Sequence, residues 1–192
     1  RIKSLSVIKR GASPRPIDDP KFFDENGDYS WVRIADVTAS GKFLLETSQK
    51  MSKLGASLSV KREPGDIFLS IAGSVGKPII TNIKCCIHDG LVYFPEYKSD
   101  INYLYRIFEN KICFEGLGKF GTQLNLNSET VGNIFIPYPP IQEQEAIANF
   151  LDEKTAKIDA LVQTKEQQIE KLKELRQAKI YQALTKGLDA NV

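Results

Sequence analysis

The last quarter of the chain constrains the fold most. Residues 141–192 contain no Pro and a single Gly, Gly187, and are dominated by Ala, Leu, Ile, Glu, Gln and Lys, the strong helix formers. Apolar residues recur at Ile147, Leu151, Ile158, Leu161, Val162, Ile169, Leu172, Leu175 and Ala183, mostly in steps of three, four or seven. This spacing writes one apolar stripe, interrupted midway by Lys165 and Gln168. The pattern predicts a helix over about 141–186, closed by Gly187 in the position that favours glycine. At ~1.5 Å per residue such a helix is on the order of 70 Å long. A single domain of this size cannot cover it, so the stripe calls for a partner helix in a coiled-coil pair, antiparallel or parallel. The pairing residues would be Leu151, Ile158, Leu161, Ile169, Leu172 and Leu175. A hairpin folding back on itself is the alternative, but the polar stretch 163–168 holds no Gly or Pro on which to turn.

Residues 1–140 have a different texture. They hold all nine Pro, all three Cys and nine of the ten Phe. The boundary is Pro137-Tyr138-Pro139-Pro140, which stops a strand and suits a helix start. Short strands are predicted at Trp31-Val32-Arg33-Ile34, Ile67-Phe68-Leu69-Ser70-Ile71, Pro78-Ile79-Ile80, Leu91-Val92-Tyr93-Phe94 and Ile134-Phe135-Ile136. Residues 101–114 carry helical spacing, so one helix packs on the mixed sheet. The expected fold is α+β. A twisted mixed-sheet domain over 1–140 precedes a long coiled-coil helix over 141–192.

Lys plus Arg number 26 and Asp plus Glu 24, a net charge of only +2. That excludes a wholly basic nucleic-acid coat but not a basic face. Residues 1–62 hold twelve bases against seven acids, and 141–192 hold eight against nine. The positive excess therefore lies early, compatible with a polyanion partner or with an ordinary solvated surface. Adjacent Cys85 and Cys86 with Cys113 make a poor disulfide framework and fit a reducing, cytoplasmic compartment. No apolar run approaches the ~18 residues of a membrane span. Residues 1–20 show no signal-peptide pattern.

The sequence is poor in catalytic and metal-binding motifs. His88 is the only histidine, and no nucleophile elbow accompanies it. Cys85, Cys86, His88 and Cys113 supply no C-x-x-C unit, so no metal is expected. Gly73-Ser74-Val75-Gly76-Lys77-Pro78 has two residues between its glycines and Pro after Lys, which rejects an ATP-binding loop. It is either a turn that presents N–H groups and an ammonium to a DNA phosphate, or a plain hairpin turn. Pro137-Tyr138-Pro139-Pro140 lacks the Asn or Asp of an adenine-methyltransferase motif, and no glycine-rich cofactor loop follows a strand. In the stretch 116–127, Gln123, Asn125 and Asn127 alternate with Leu124 and Leu126, so an extended strand would align the amides on one face. Such amides pair with adenine edges, and Lys119 suits phosphate or guanine. A solvated edge strand is the other reading.

Four segments, in order, resemble one half of the specificity subunit of type I restriction–modification systems. They are Gly11-Ala12-Ser13-Pro14 with Tyr29–Val37; Pro64-Gly65-Asp66-Ile67 through Gly76-Lys77; the 118–123 stretch; and Ile136-Pro137-Tyr138-Pro139-Pro140-Ile141-Gln142-Glu143-Gln144-Glu145-Ala146-Ile147, the most specific. The last continues into Phe150-Leu151-Asp152 and Ile158-Asp159-Ala160-Leu161. The resemblance implies one target-recognition domain and one helical spacer. The family usually carries two such halves with antiparallel spacers, so this chain is either a fragment or a half-subunit that dimerises.

The implied function is sequence-specific reading of double-stranded DNA as two half-sites, without catalysis or a cofactor of its own. Methyltransferase and restriction subunits would supply methyl transfer and cleavage, and no membrane is involved. Arg15, Lys42, Lys50, Lys53 and Lys77 are the candidates for phosphate or groove contacts. Lys119, Gln123, Asn125 and Asn127 are the candidates near base edges. The competing readings are a coiled-coil adaptor whose globular domain binds protein, and an autonomous enzyme.

Overall fold

The computed structural model describes residues 1–117 and 126–188. It divides into two compact units, Arg1–Ala148 and Asn149–Val192. Among the described residues the first unit holds nine strands: β1 (Lys9–Arg10), β2 (Tyr29–Val32), β3 (Phe43–Leu44), β4 (Gln49–Met51), β5 (Val60–Arg62), β6 (Ile67–Ser70), β7 (Pro78–Thr81), β8 (Cys85–Ile87) and β9 (Leu91–Tyr93). It also holds helices α1 (Ile34–Ala39), α2 (Lys53–Ser57), α3 (Ile101–Glu109) and α4 (Ser128–Asn133). Helix α5 (Ile141–Lys186) begins in this unit and makes up nearly all of the second.

The strands form two mixed sheets, not one. A five-stranded sheet runs β1-β9-β6-β7-β3 and a four-stranded sheet runs β4-β2-β8-β5. Each contains one parallel pair, β3 with β7 and β2 with β8, among antiparallel neighbours. Side-chain alternation along the strands explains the stacking. Ile67, Leu69 and Ile80 face α3, joining Leu104, Phe108 and Phe114 in one core. Phe68, Ile79 and Leu91 face the other way and meet Val32, Cys85 and Ile87 of the four-stranded sheet. Trp31 and Cys86 point out of that sheet's far side, where Met51 and Ala56 of the β4–α2 segment cover them. The layers are therefore helix, sheet, sheet, helix. With both faces covered, β6 and β7 are buried at every position, which accounts for their continuous apolar runs.

Two predicted strands are corrected. β2 ends at Val32, because the Asp36 carboxylate accepts the Arg33 N–H at 2.9 Å and starts α1 at Ile34. Ile134–Ile136 is not a strand. Ile134 sits in the α3-side core and its carbonyl accepts the Ile2 N–H at 3.0 Å, while Pro137 has no N–H with which to extend pairing. The predicted helix over 101–114 stops at Glu109, and a separate 3-10 turn covers Ile112–Phe114.

Helix α5 runs unbroken for 46 residues over the predicted span, which removes the hairpin alternative, and Gly187 follows it at φ +76°. Its start is anchored by Gln144, buried to 1% exposure. The amide accepts from Ser99 Oγ at 2.6 Å and donates to the Pro139 carbonyl at 2.8 Å.

Gly11 passes so close to the end of β8 that a Cβ there would lie 2.3 Å from the His88 carbonyl oxygen and 2.6 Å from that of Ile87. Both neighbours are backbone and cannot swing aside. Gly11→Ala is expected to destabilise the domain by about 1–3 kcal/mol. Gly41→Ala, with open space around the new methyl, is expected to stay within about 0.5 kcal/mol of the parent. Urea unfolding of the two variants checks the contrast.

Candidate nucleic-acid interface

The basic residues named below lie in three places. Lys50 on β4 and Lys53 at the start of α2 are exposed at one edge of the four-stranded sheet. Lys53 and Lys61 line a shallow cleft of about 110 Å³ with Asp28, Tyr29 and Ser52, and the Lys61 ammonium lies 4.9 Å from the Tyr29 ring centroid. Lys42 and Lys77 belong to the five-stranded sheet, next to β3 and β7.

Lys77 is turned inward. Its ammonium donates to the Thr38 carbonyl at 2.9 Å and the Ser40 carbonyl at 2.6 Å, at the C-terminal end of α1. Burial lowers its pKa from the usual lysine value. The glycine turn that precedes it is the β6–β7 hairpin. Its N–H groups at Val75, Gly76 and Lys77 bond the carbonyls of Gly73, Ser70 and Ser74. The Lys42 ammonium stands 5.4 Å from the ring centroids of both Phe43 and Tyr105.

Arg15 belongs to a cluster that the linear sequence does not reveal. β8 and β9 are joined by the tight turn His88-Asp89-Gly90, whose Leu91 N–H donates to the His88 carbonyl at 3.0 Å. Arg15 Nη2 donates to Asp89 Oδ2 at 2.8 Å with its side chain 70% exposed. Arg10, at the end of β1, donates from Nε to the Asp89 carbonyl. Arg33 follows Val32, whose carbonyl accepts the His88 N–H at 3.2 Å, and it donates to the Gln49 side chain. His88 Nδ1 accepts the Gly90 N–H at 2.9 Å, so in the neutral ring Nε2 carries the proton. Burial lowers the His88 pKa; Asp89 opposes this, and Arg15, Arg33 and Arg10 add to it.

Of the amide-bearing stretch, Lys119, Gln123 and Asn125 lie outside the described residues. Asn127 is described and caps α4, its side-chain oxygen accepting the Thr130 N–H at 2.9 Å. The cysteines are free; burial pushes the thiols of Cys85 and Cys86 up to about 12 and that of Cys113 to about 11, far from a reactive thiolate. Among the described residues no group of three or more His, Cys, Asp or Glu is placed to hold a metal ion. No described helix is long and apolar enough to cross a membrane.

Residues 1–171 match the family model of the type I restriction modification DNA specificity domain. The chain belongs to this family. Among solved structures, the specificity-domain chain is similar to one from a study of complex assembly and conformational transition of the type I R-M system, at TM-score 0.78 and 24% identity. That match covers 98% of this chain and 45% of the other. It is also similar to the HsdS subunit from Thermoanaerobacter tengcongensis, at TM-score 0.65 and 23% identity, covering 98% of this chain and 44% of that one. A type I restriction–modification S subunit from M. genitalium matches at TM-score 0.55 and 19% identity, covering 94% and 44%. At these identities the likeness is one of fold. The specificity-domain chain spans less than half the length of each.

Within the specificity domain, Lys77 and Lys53 should separate by role. Lys77→Met leaves two carbonyls without their charged donor and is expected to cost about 1–3 kcal/mol of stability. Lys53→Met, on an exposed site, is expected to change stability by no more than about 0.5 kcal/mol. Chemical denaturation of both variants checks this.

Proposed function

We propose that this chain is the sequence-reading half of a type I specificity subunit. It recognises one half of a bipartite site on double-stranded DNA and directs methyltransferase and restriction subunits there. The observation that carries the reading is the joining of an α+β unit, with basic side chains at the open edge of its four-stranded sheet, to a 46-residue helix with an exposed apolar stripe. Ile158, Leu161, Ile169, Leu172 and Leu175 are each more than half exposed, and Leu151 is half-buried. Burying a Leu or Ile side chain is worth about 1.5–3 kcal/mol, so a stripe of this length favours a partner helix.

In this reading the partner is the spacer of a second copy or of the other half of a subunit, packed antiparallel. The pair holds two recognition units apart and sets the spacing of the half-sites, as in dimeric repressors. Arg15, Lys50 and Lys53 contact the DNA backbone, and Lys119, Gln123 and Asn125 read base edges. The spacer's exposed Glu, Lys and Gln faces dock the methyltransferase subunits. The chain itself is non-catalytic and works in the cytoplasm, and the other subunits supply methyl transfer and cleavage.

Light scattering at about micromolar concentration is expected to give twice the 21.5 kDa chain mass, and Leu161→Asp/Leu172→Asp to return it to one. Methylation profiling of DNA exposed to the assembled complex should then show a two-part target. A monomeric parent chain would contradict the pairing. Assembly without any site preference would contradict DNA reading and favour the protein-binding adaptor.

A further inference from the structure

We propose that the β8–β9 turn, with Arg10, Arg15, Arg33 and His88 around it, is a seat for a phosphate of the DNA backbone, with His88 as its proton-responsive member. The inference rests on the DNA-reading function above and assigns part of that interface to a specific place. Arg10 and Arg15, from the end of β1 and the following loop, both donate to Asp89 of this turn. Arg33, from the β2–α1 junction, acts on His88 electrostatically, while its guanidinium donates to Gln49 and lies 5.9 Å from the Phe23 ring centroid. Against the three guanidinium groups stand two carboxylates, Asp89 on Arg15 and Asp36 at the Arg33 main-chain N–H, which leaves a local charge of +1 with His88 neutral.

The donors are held but not exhausted. Among the described residues Arg10 gives only its Nε–H to the Asp89 carbonyl, and Arg15 gives Nη2 to the Asp89 carboxylate. Their remaining N–H groups can reach a phosphate as guanidinium forks do. Asp89 Oδ2 thus holds Arg15 in place, and the main-chain N–H of Asp89 is itself tied to Ser13 Oγ at 3.3 Å. Side-chain freedom has already been restricted before ligand arrives, which favours tight binding.

His88 supplies the response. Neutral, it accepts the Gly90 N–H at Nδ1; protonated, the same nitrogen donates to Asp89 Oδ1, 3.0 Å away. Burial and the three arginines oppose that proton in the free protein, and Asp89 favours it. A bound phosphate adds negative charge beside the ring and raises its pKa, so binding takes up a proton. Affinity then rises as pH falls.

The test is fluorescence anisotropy of the full chain with a labelled, random-sequence duplex, over a salt titration and between about pH 8 and pH 6. Loss of one phosphate contact lowers the slope of log K against log salt by about 0.9, which at about 0.1 M salt is close to a tenfold loss of affinity. Arg15→Gln and Arg33→Gln are expected to show that loss on every sequence. Arg15→Lys keeps the slope, and His88→Gln removes the gain in affinity at low pH while retaining the parent's melting temperature. If the chain binds DNA with slopes and pH response unchanged in all these variants, the seat is wrong and the DNA-reading function stands. If neither the parent chain nor its assembly with methyltransferase subunits binds DNA, both fall. Variants that bind DNA normally but fail to join those subunits would overturn the seat in favour of an acidic protein surface.

Discussion

The two sheets share one core of Phe68, Ile79 and Leu91 against Val32, Cys85 and Ile87, and the placement of the basic cluster depends on the turn after β8, where the chain crosses between them. β8 ends in the four-stranded sheet and β9 begins in the five-stranded one, with only His88, Asp89 and Gly90 between them. The N-terminal segment closes over this turn. Gly11 N–H donates to the Leu91 carbonyl at 2.8 Å, Ala12 N–H to Ile87 at 3.1 Å, and Ser13 Oγ accepts the Asp89 N–H. The approach is possible because residue 11 has no side chain. Backbone contacts therefore fix where β1 ends and where Arg10 and Arg15 leave it. Arg33 is fixed from the other side, through Val32 and the turn into α1. Hydrogen bonds around one turn thus fix the backbone from which Arg10, Arg15 and Arg33 project.

The long helix was legible because its signals are local. Composition, the three-and-four spacing and Gly187 each act within a turn or two, and together they marked the span from Ile141 to Lys186. β6, β7 and β9 were legible for a related reason: apolar runs between turn residues. What the sequence did not disclose was how strands pair across long separations. β1 and β3 are two residues each, too short for any period to register. Cys85-Cys86-Ile87 followed by Asp89-Gly90 carries a turn signal, yet that turn passes from one sheet to the other, which no local pattern encodes.

The same limit governs the site. Arg15 was recognisable as a candidate, but Arg10, Arg33 and His88 look like ordinary surface residues until the turn collects them. Lys77 carries the opposite lesson. Its place after a glycine turn suggested phosphate, but the helix that takes its charge, α1, lies in a segment whose pattern resembled the end of a strand. Asn127 likewise spends its side-chain oxygen on starting α4, a role set by the capping pair with Thr130.

In the proposed reader, the long helix would draw its value for recognition from what interrupts it. Its exposed ion pairs, Lys157 with Glu153 and Lys173 with Glu170, contribute little to stability in water. The apolar stripe is the stronger force, but an unbroken stripe would let two helices slide by a turn at small cost. Lys165 and Gln168 stand near the middle of α5 and meet each other at 3.2 Å. In the proposed symmetric pair the polar break of one helix faces that of its partner, and the apolar block from Leu151 to Val162 faces the block from Ile169 to Ile180. Any slipped register would set an ammonium or an amide against Leu or Ile and leave it without partners, a cost that a polar residue in a coiled-coil seam imposes for specificity. The break that weakens the stripe is thus what would hold two recognition units at one distance, and a reader of split sites needs that distance fixed.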